Sequence, residues 1–154
     1  MNKRILFVCL GNICRSPAAE AVAAKFAQDR GMSLEIDSAG TIAAHVGNGP
    51  DTRMRAAGEA RGYQFLTRAR KVVAADLIPG CFDLVIAMDR SNLADLQELA
   101  GQASNHIRLF SDFLDDPAVR DVPDPYYGDA SGFEVVLDML EVGCPKILDV
   151  LVDR

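Results

Sequence analysis

Two spacings of apolar residues alternate along the chain. Arg4 to Val8, Asp83 to Met88 and Ile107 to Phe110 are short runs dominated by apolar side chains, and Leu34 to Ser38 reads as a further short strand. Such runs predict short buried strands, the clearest being the one with Leu84, Val85 and Ile86 in a row. Between them, Ala18 to Arg30, Asp51 to Arg61 and Ser91 to Ala100 have helical character and end at Gly31, Gly62 and Gly101. Ala39 to Pro50, rich in Gly and Ala, reads as loop, and so does Ser111 to Gly128, which has three prolines and no period. Near the C-terminus, Phe133, Val136, Leu137, Leu140, Ile147, Leu148 and Leu151 mark one helix face. Pro145 lies inside that pattern, where it removes a hydrogen bond at a cost of about 3 kcal/mol. A kink or break is therefore expected near Gly143-Cys144-Pro145.

Strands alternating with helices predict an α/β fold: a single three-layer domain over residues 1–154, with helices on both faces of a parallel sheet. In such a sheet, ligands bind beyond the carboxyl ends of the strands. A chain of 154 residues is large enough to bury a real core. The net charge of −6 argues against a general binder of nucleic acid or of an anionic membrane. No window approaches the length of a membrane span. Lys3 and Arg4 followed by Ile5 to Leu10 imitate a signal peptide, but the apolar run is short and Gly11, Asn12 and Arg15 interrupt it. Four cysteines without regular spacing suit a reducing compartment, so a cytoplasmic protein is expected.

The chemistry concentrates in Cys9-Leu10-Gly11-Asn12-Ile13-Cys14-Arg15-Ser16, which follows the first strand and precedes Pro17 and a helix. Backbone N–H groups from Leu10 to Arg15 can wrap phosphate oxygens, with Gly11 removing a side chain from the wall. Arg15 offers a planar fork that matches two oxygens at once. The helix N-terminus adds partial positive charge beside the Cys9 thiol. Ser16 suits the N-cap with Pro17 at the first helical position, and its hydroxyl suits equally a bond to the Cys9 sulfur; the sequence does not choose between these. The Cys-to-Arg spacing is weak alone, and Gly11, Asn12, Ser16, Pro17 and the strand-loop-helix frame make it specific. The implied chemistry is removal of phosphate by attack of Cys9.

An aryl leaving group needs a proton donor. Asp124 in Pro123-Asp124-Pro125-Tyr126-Tyr127-Gly128 is the candidate, since flanking prolines restrict the backbone that carries it. Tyr126 and Tyr127 are candidate walls for a flat ring.

On these two segments the chain resembles the low-molecular-weight protein tyrosine phosphatases along nearly its whole length. The resemblance implies a four-stranded parallel sheet and a two-step mechanism without metal or other cofactor. Cys9 would form a phosphocysteine, Arg15 would hold the phosphoryl group, and Asp124 would serve as acid and then base. Leu10, Gly11, Asn12, Ile13, Cys14, Ser16, Tyr126 and Tyr127 would contact substrate. The resemblance also implies a left-handed Asn12 held by Ser16 and Ser38, and a Cys14 able to pair reversibly with Cys9. Its implied partners are proteins carrying phosphotyrosine, autophosphorylated kinases among them; separately, a monomer or weak dimer is expected. Two departures stand out: Ala44, followed by His45, replaces a pocket aromatic, and Thr67 replaces a histidine that supports the loop. The first predicts a more open pocket.

Three alternatives share features with this reading. Arsenate reductases of similar fold relay oxidation through a cysteine where this chain has Met88, and Cys81 and Cys144 read better as core thiols. Protein-arginine phosphatases typically carry threonine in place of Ile13 and phenylalanine in place of Tyr126. A zinc site would need a second close pair of ligands, and Cys81, Cys144, His45 and His106 are scattered.

Overall fold

The computed structural model describes residues 2–102 and 104–153. Strands β1 (Lys3–Cys9), β2 (Leu34–Gly40), β3 (Leu84–Ala87) and β4 (Ile107–Leu109) form one parallel sheet in the order β2-β1-β3-β4. The two inner strands alternate strictly between two cores. Ile5, Phe7, Leu84 and Ile86 point into one cluster, while Leu6, Val8, Val85 and Ala87 point into the other. Both sets are fully buried, which is why these strands read as unbroken apolar runs.

Helices α1 (Arg15–Asp29), α2 (Thr52–Ala60) and α4 (Ala130–Val152) contribute to the first cluster, and α3 (Arg90–Ala100) to the second. From β1 the chain crosses through α1 to β2 at one edge, then returns to β3 on the other side of β1. Connections leaving the carboxyl ends of β1 and β3 therefore diverge, which opens a crevice there.

The strands and helices fall where the apolar pattern places them, with instructive shifts. Strand β2 runs on to Gly40, because Gly40 pairs with Cys9 at the end of β1. A Cβ on Gly40 would stand 2.7 Å from the Leu10 carbonyl oxygen, so the absent side chain lets the Cys9 loop lie against this strand. The segment read as loop after Ile107 to Phe110 begins with a short 3-10 turn, Phe110–Phe113, and another turn, Ala74–Leu77, precedes β3.

The expected break at Gly143-Cys144-Pro145 does not occur: α4 is continuous from Ala130 to Val152 with Pro145 inside it. Leu140 and Cys144 on one side and Ile147, Leu148 and Leu151 on the other are all fully buried. Packing on both sides of Pro145 thus keeps the helix in register across the hydrogen bond that proline cannot donate. Gly143 is part of this packing, since a Cβ there would meet the buried Phe110 ring at 2.4 Å. None of the helices among the described residues is long and apolar enough to cross a membrane.

Candidate active site

Among the described residues, three of the four α-helices begin on an aspartate whose side chain accepts backbone N–H groups: Asp51 for α2, Asp89 for α3 and Asp129 for α4. Helix α1 has no such cap. It begins at Arg15 after Cys14, which has φ −117° and ψ −82° and makes no capping bond. Among the described residues, the backbone N–H groups of Gly11, Asn12, Ile13 and Cys14 have no partner within the protein. Open donors and the positive end of α1 thus converge where β1 delivers Cys9, an arrangement suited to a bound anion.

Ser16 is therefore not the N-cap. It lies inside the first turn and is fully buried, with its hydroxyl 3.0 Å from the Cys9 sulfur. Its Oγ also accepts from Asn12 Nδ2 at 2.7 Å, and the same nitrogen donates to Ser38 Oγ at 2.9 Å. Asn12 has φ +58°, the left-handed region, and is the one non-glycine residue with positive φ among those described. Its side-chain bonds to the two serines, with Arg70 N–H donating to its Oδ1 at 3.0 Å, hold that conformation.

Arg15 reaches the same point from the first turn of α1, with its side chain only 3% exposed. Nη1 donates to Asp89 at 2.6 Å and to the Val122 carbonyl at 2.9 Å. Nη2 is 3.7 Å from Asp124, beyond hydrogen-bond range, and is left to meet a ligand. Burial opposes the guanidinium charge, but Cys9, Asp89 and Asp124 favour it, and the net direction is upward. Asp124 accepts the Tyr126 N–H at 3.1 Å through Oδ1, which turns the chain and leaves Oδ2 facing Arg15.

These groups surround a cavity of about 170 Å³. The Cys9 loop lines it through Cys9, Leu10, Gly11, Ile13, Cys14 and Arg15, together with Asp124, Tyr126 and Tyr127 and with Ile42, Ala44 and His45. The side chains of Asn12 and Ser16, expected among the substrate contacts, are buried and do not line it, which leaves Asn12 its open backbone N–H to offer. Ser38 stands behind them in its expected supporting place. Cys14 is free, as is Cys9, and burial pushes the Cys14 thiol up, with Asp51, Cys9 and Asp124 adding to this.

Beside Ala44, the next residue, His45, lines the cavity. The His45 ring faces Tyr126 at 6.0 Å between centroids, and Tyr126 meets Tyr127 edge-on at 4.9 Å. A Cβ on Gly11 would meet the His45 ring at 2.9 Å, so this glycine makes room for the imidazole. The opening expected from Ala44 is thus partly filled by His45.

Three further groups escape a reading of the sequence. Asp89 anchors Arg15, and its only signal was its place just after the third strand. Arg53 donates to the Tyr126 carbonyl at 3.1 Å and lies over that ring at 5.4 Å, which ties α2 to the Asp124 loop. Glu20 accepts from Ser38, and Thr67 donates to Glu20.

The chain matches the family model for low molecular weight phosphotyrosine protein phosphatase over residues 4–154. It is 40% identical over 148 residues to the Bacillus subtilis low molecular weight protein-tyrosine-phosphatase YfkJ, covering 94% of this chain and 92% of that one. The crystal structure of YfkJ superposes with a TM-score of 0.92 over 99% of this chain and 96% of that chain. A protein tyrosine phosphatase from Entamoeba histolytica, crystallised with Hepes in the active site, is 41% identical with a TM-score of 0.91, over 99% and 98% of the two chains. A Drosophila arginine phosphatase is 29% identical with a TM-score of 0.87, over 96% of each chain. With an uncapped helix behind Cys9, Arg15 beneath the cavity and this extent of likeness, the chain belongs to the low molecular weight phosphotyrosine protein phosphatase family.

Proposed function

We propose that this protein hydrolyses phosphotyrosine in proteins, and small aryl phosphates, through a phosphocysteine on Cys9. The observation that carries this is the meeting of Cys9, Arg15 and Asp124 around one cavity with aromatic sides. The phosphoryl oxygens take the open N–H groups of the loop and the free Nη2 of Arg15, which offset the dianion's charge as sulfur approaches. The Cys9 thiolate then bonds to phosphorus, the ester P–O bond breaks, and Asp124 gives its proton to the departing phenolate oxygen. In the second step Asp124 takes a proton from water, whose oxygen bonds to phosphorus while the P–S bond breaks. The Ser16 hydroxyl, 3.0 Å from the sulfur, stabilises the departing thiolate. Phosphate leaves and Cys9 is regenerated.

Tyr126 and His45 favour a planar leaving group, since both aromatic rings line the cavity that receives it. Free thiols at Cys9 and Cys14 suit a reducing compartment, so we place this activity in the cytoplasm.

The test is steady-state hydrolysis of phosphotyrosine, phosphoserine and phosphoarginine peptides side by side. Phosphotyrosine should be preferred, Cys9→Ser should abolish turnover, and Asp124→Ala should lower kcat by roughly 10²–10⁴. A preference for phosphoarginine would move the assignment to the activity named for the Drosophila relative. Failure on all three would send the next assay to arsenate with a thiol reductant.

A further inference from the structure

Beneath the Cys9 loop, five side chains form one continuous hydrogen-bonded line. Glu20 Oε1 accepts the Ser38 hydroxyl at 2.6 Å. Ser38 Oγ accepts from Asn12 Nδ2 at 2.9 Å, and that nitrogen gives its other proton to Ser16 Oγ at 2.7 Å. Ser16 Oγ stands 3.0 Å from Cys9 Sγ.

Counting protons sets the direction of every bond. A hydroxyl has one proton, and a carboxylate has none. Ser38 gives its proton to Glu20 and so faces Asn12 as an acceptor. The Arg70 N–H on Asn12 Oδ1 fixes the amide, so both amide protons point at the serines. Ser16 receives one of them and keeps its own proton for the sulfur, the Ala39 carbonyl at 3.4 Å being its weaker choice. The line thus ends in an acceptor at each end, a carboxylate at Glu20 and a sulfur at Cys9.

We propose that Glu20 is a positioning residue for the nucleophile: its carboxylate orients Ser38, Asn12 and Ser16 so that the Ser16 hydroxyl donates to the sulfur leaving phosphorus. This rests on Cys9 being the nucleophile. In that step the electron pair of the P–S bond stays on sulfur and the water proton goes to Asp124. Ser16 keeps its proton and stabilises the thiolate through the hydrogen bond.

The surroundings of Glu20 support a role beyond folding. Its hydrogen bonds come from two neutral hydroxyls, Ser38 and Thr67. Arg70, the cation that acts on it, is paired with Asp37 at 3.0 Å and with Asp76 at 2.9 Å. Burial, with Asp37 adding to it, pushes the Glu20 carboxyl up, against the two hydroxyls and Arg70. A carboxylate in this position costs stability, and its return is the direction it imposes on the line.

The experiment compares wild type with Glu20→Met, Glu20→Gln, Ser16→Ala and the double variant Glu20→Met/Ser16→Ala. Two readouts are used: the side-chain amide resonances of Asn12, and rapid-quench turnover of p-nitrophenyl phosphate. Glu20→Met should shift both Asn12 amide protons and slow phosphocysteine breakdown tenfold or more, with a smaller change in kcat/KM. Glu20→Gln keeps an acceptor and should recover most of that loss. In the Ser16→Ala background, Glu20→Met should slow breakdown no further. Unmoved Asn12 resonances in Glu20→Met, or fully additive losses in the double variant, would overturn the proposal. If Glu20→Met does not fold, Ser38→Ala cuts the line one bond later and gives the same comparison. A wild type that turns over no aryl phosphate would sink the proposed function, and the Asn12 resonances would then judge the line on their own.

Discussion

One carboxylate, Asp89, serves both Arg15 and a helix: Oδ2 accepts from the guanidinium at 2.6 Å while Oδ1 accepts the Asn92 N–H at 2.7 Å to cap α3. The residue that holds the phosphate-binding fork is thereby fixed to the end of β3 across the crevice from β1. Asp89→Ala strips both bonds and leaves a buried guanidinium with Val122 O as its remaining hydrogen-bond acceptor. We expect about 2 kcal/mol of lost stability in urea unfolding. A fall in kcat/KM of roughly a hundredfold should accompany it as Arg15 loses its aim. Asp89→Asn, with one acceptor oxygen to share, should fall between wild type and Ala on both scales.

The His45 and Tyr126 rings, 6.0 Å apart, make the side walls a test of leaving-group recognition. An aromatic contact contributes about 0.5–1.5 kcal/mol. His45→Ala should therefore raise KM for aryl phosphates severalfold while leaving KM for an alkyl phosphate nearly unchanged. Ala44→Trp should lower the aryl KM. Steady-state kinetics on matched aryl and alkyl esters checks both, and equal shifts for the two ester classes would deny the wall its role.

Glu20 also carries a pH dependence of stability. Its carboxyl is raised by burial and by Asp37, with Ser38, Thr67 and Arg70 opposing. The folded state thus binds a proton more tightly there than the unfolded chain does, near an unfolded value of about 4.3. Stability from this group is greatest below that value and falls as pH rises through the folded value. Urea unfolding across this range should show wild type losing stability relative to Glu20→Gln as pH rises. A constant difference between the two would contradict it.

Gly143 sits in the interior of α4, where glycine is worse than alanine by about 1 kcal/mol. Gly143→Ala should nonetheless destabilise, since the new Cβ would stand 2.4 Å from the Phe110 ring. Overpacking of this kind costs typically about 1–3 kcal/mol. Phe110→Leu should relieve part of the loss when combined with Gly143→Ala, which a double-mutant comparison of unfolding midpoints would reveal.

The parts of this protein legible in its sequence are those encoded over a few neighbouring residues. Strands β1 and β3 declare themselves because side chains buried on both faces must be apolar in succession. The Cys9 loop declares itself because nucleophile, phosphate fork and helix start lie within eight residues of chain. Asp124 stood out through its two flanking prolines. Tertiary structure alone decided the rest. Asp89 meets Arg15 across 74 positions of sequence because the sheet order sets the carboxyl ends of β1 and β3 side by side. Ser38 comes under Asn12 because parallel pairing carries β2 alongside β1 to its last residue. The choice between two roles for Ser16 turned on α1 starting at Arg15, and the fate of Pro145 on packing along both sides of it. A local pattern specifies which face of an element is buried, but which side chains meet across a crevice depends on how distant elements stack.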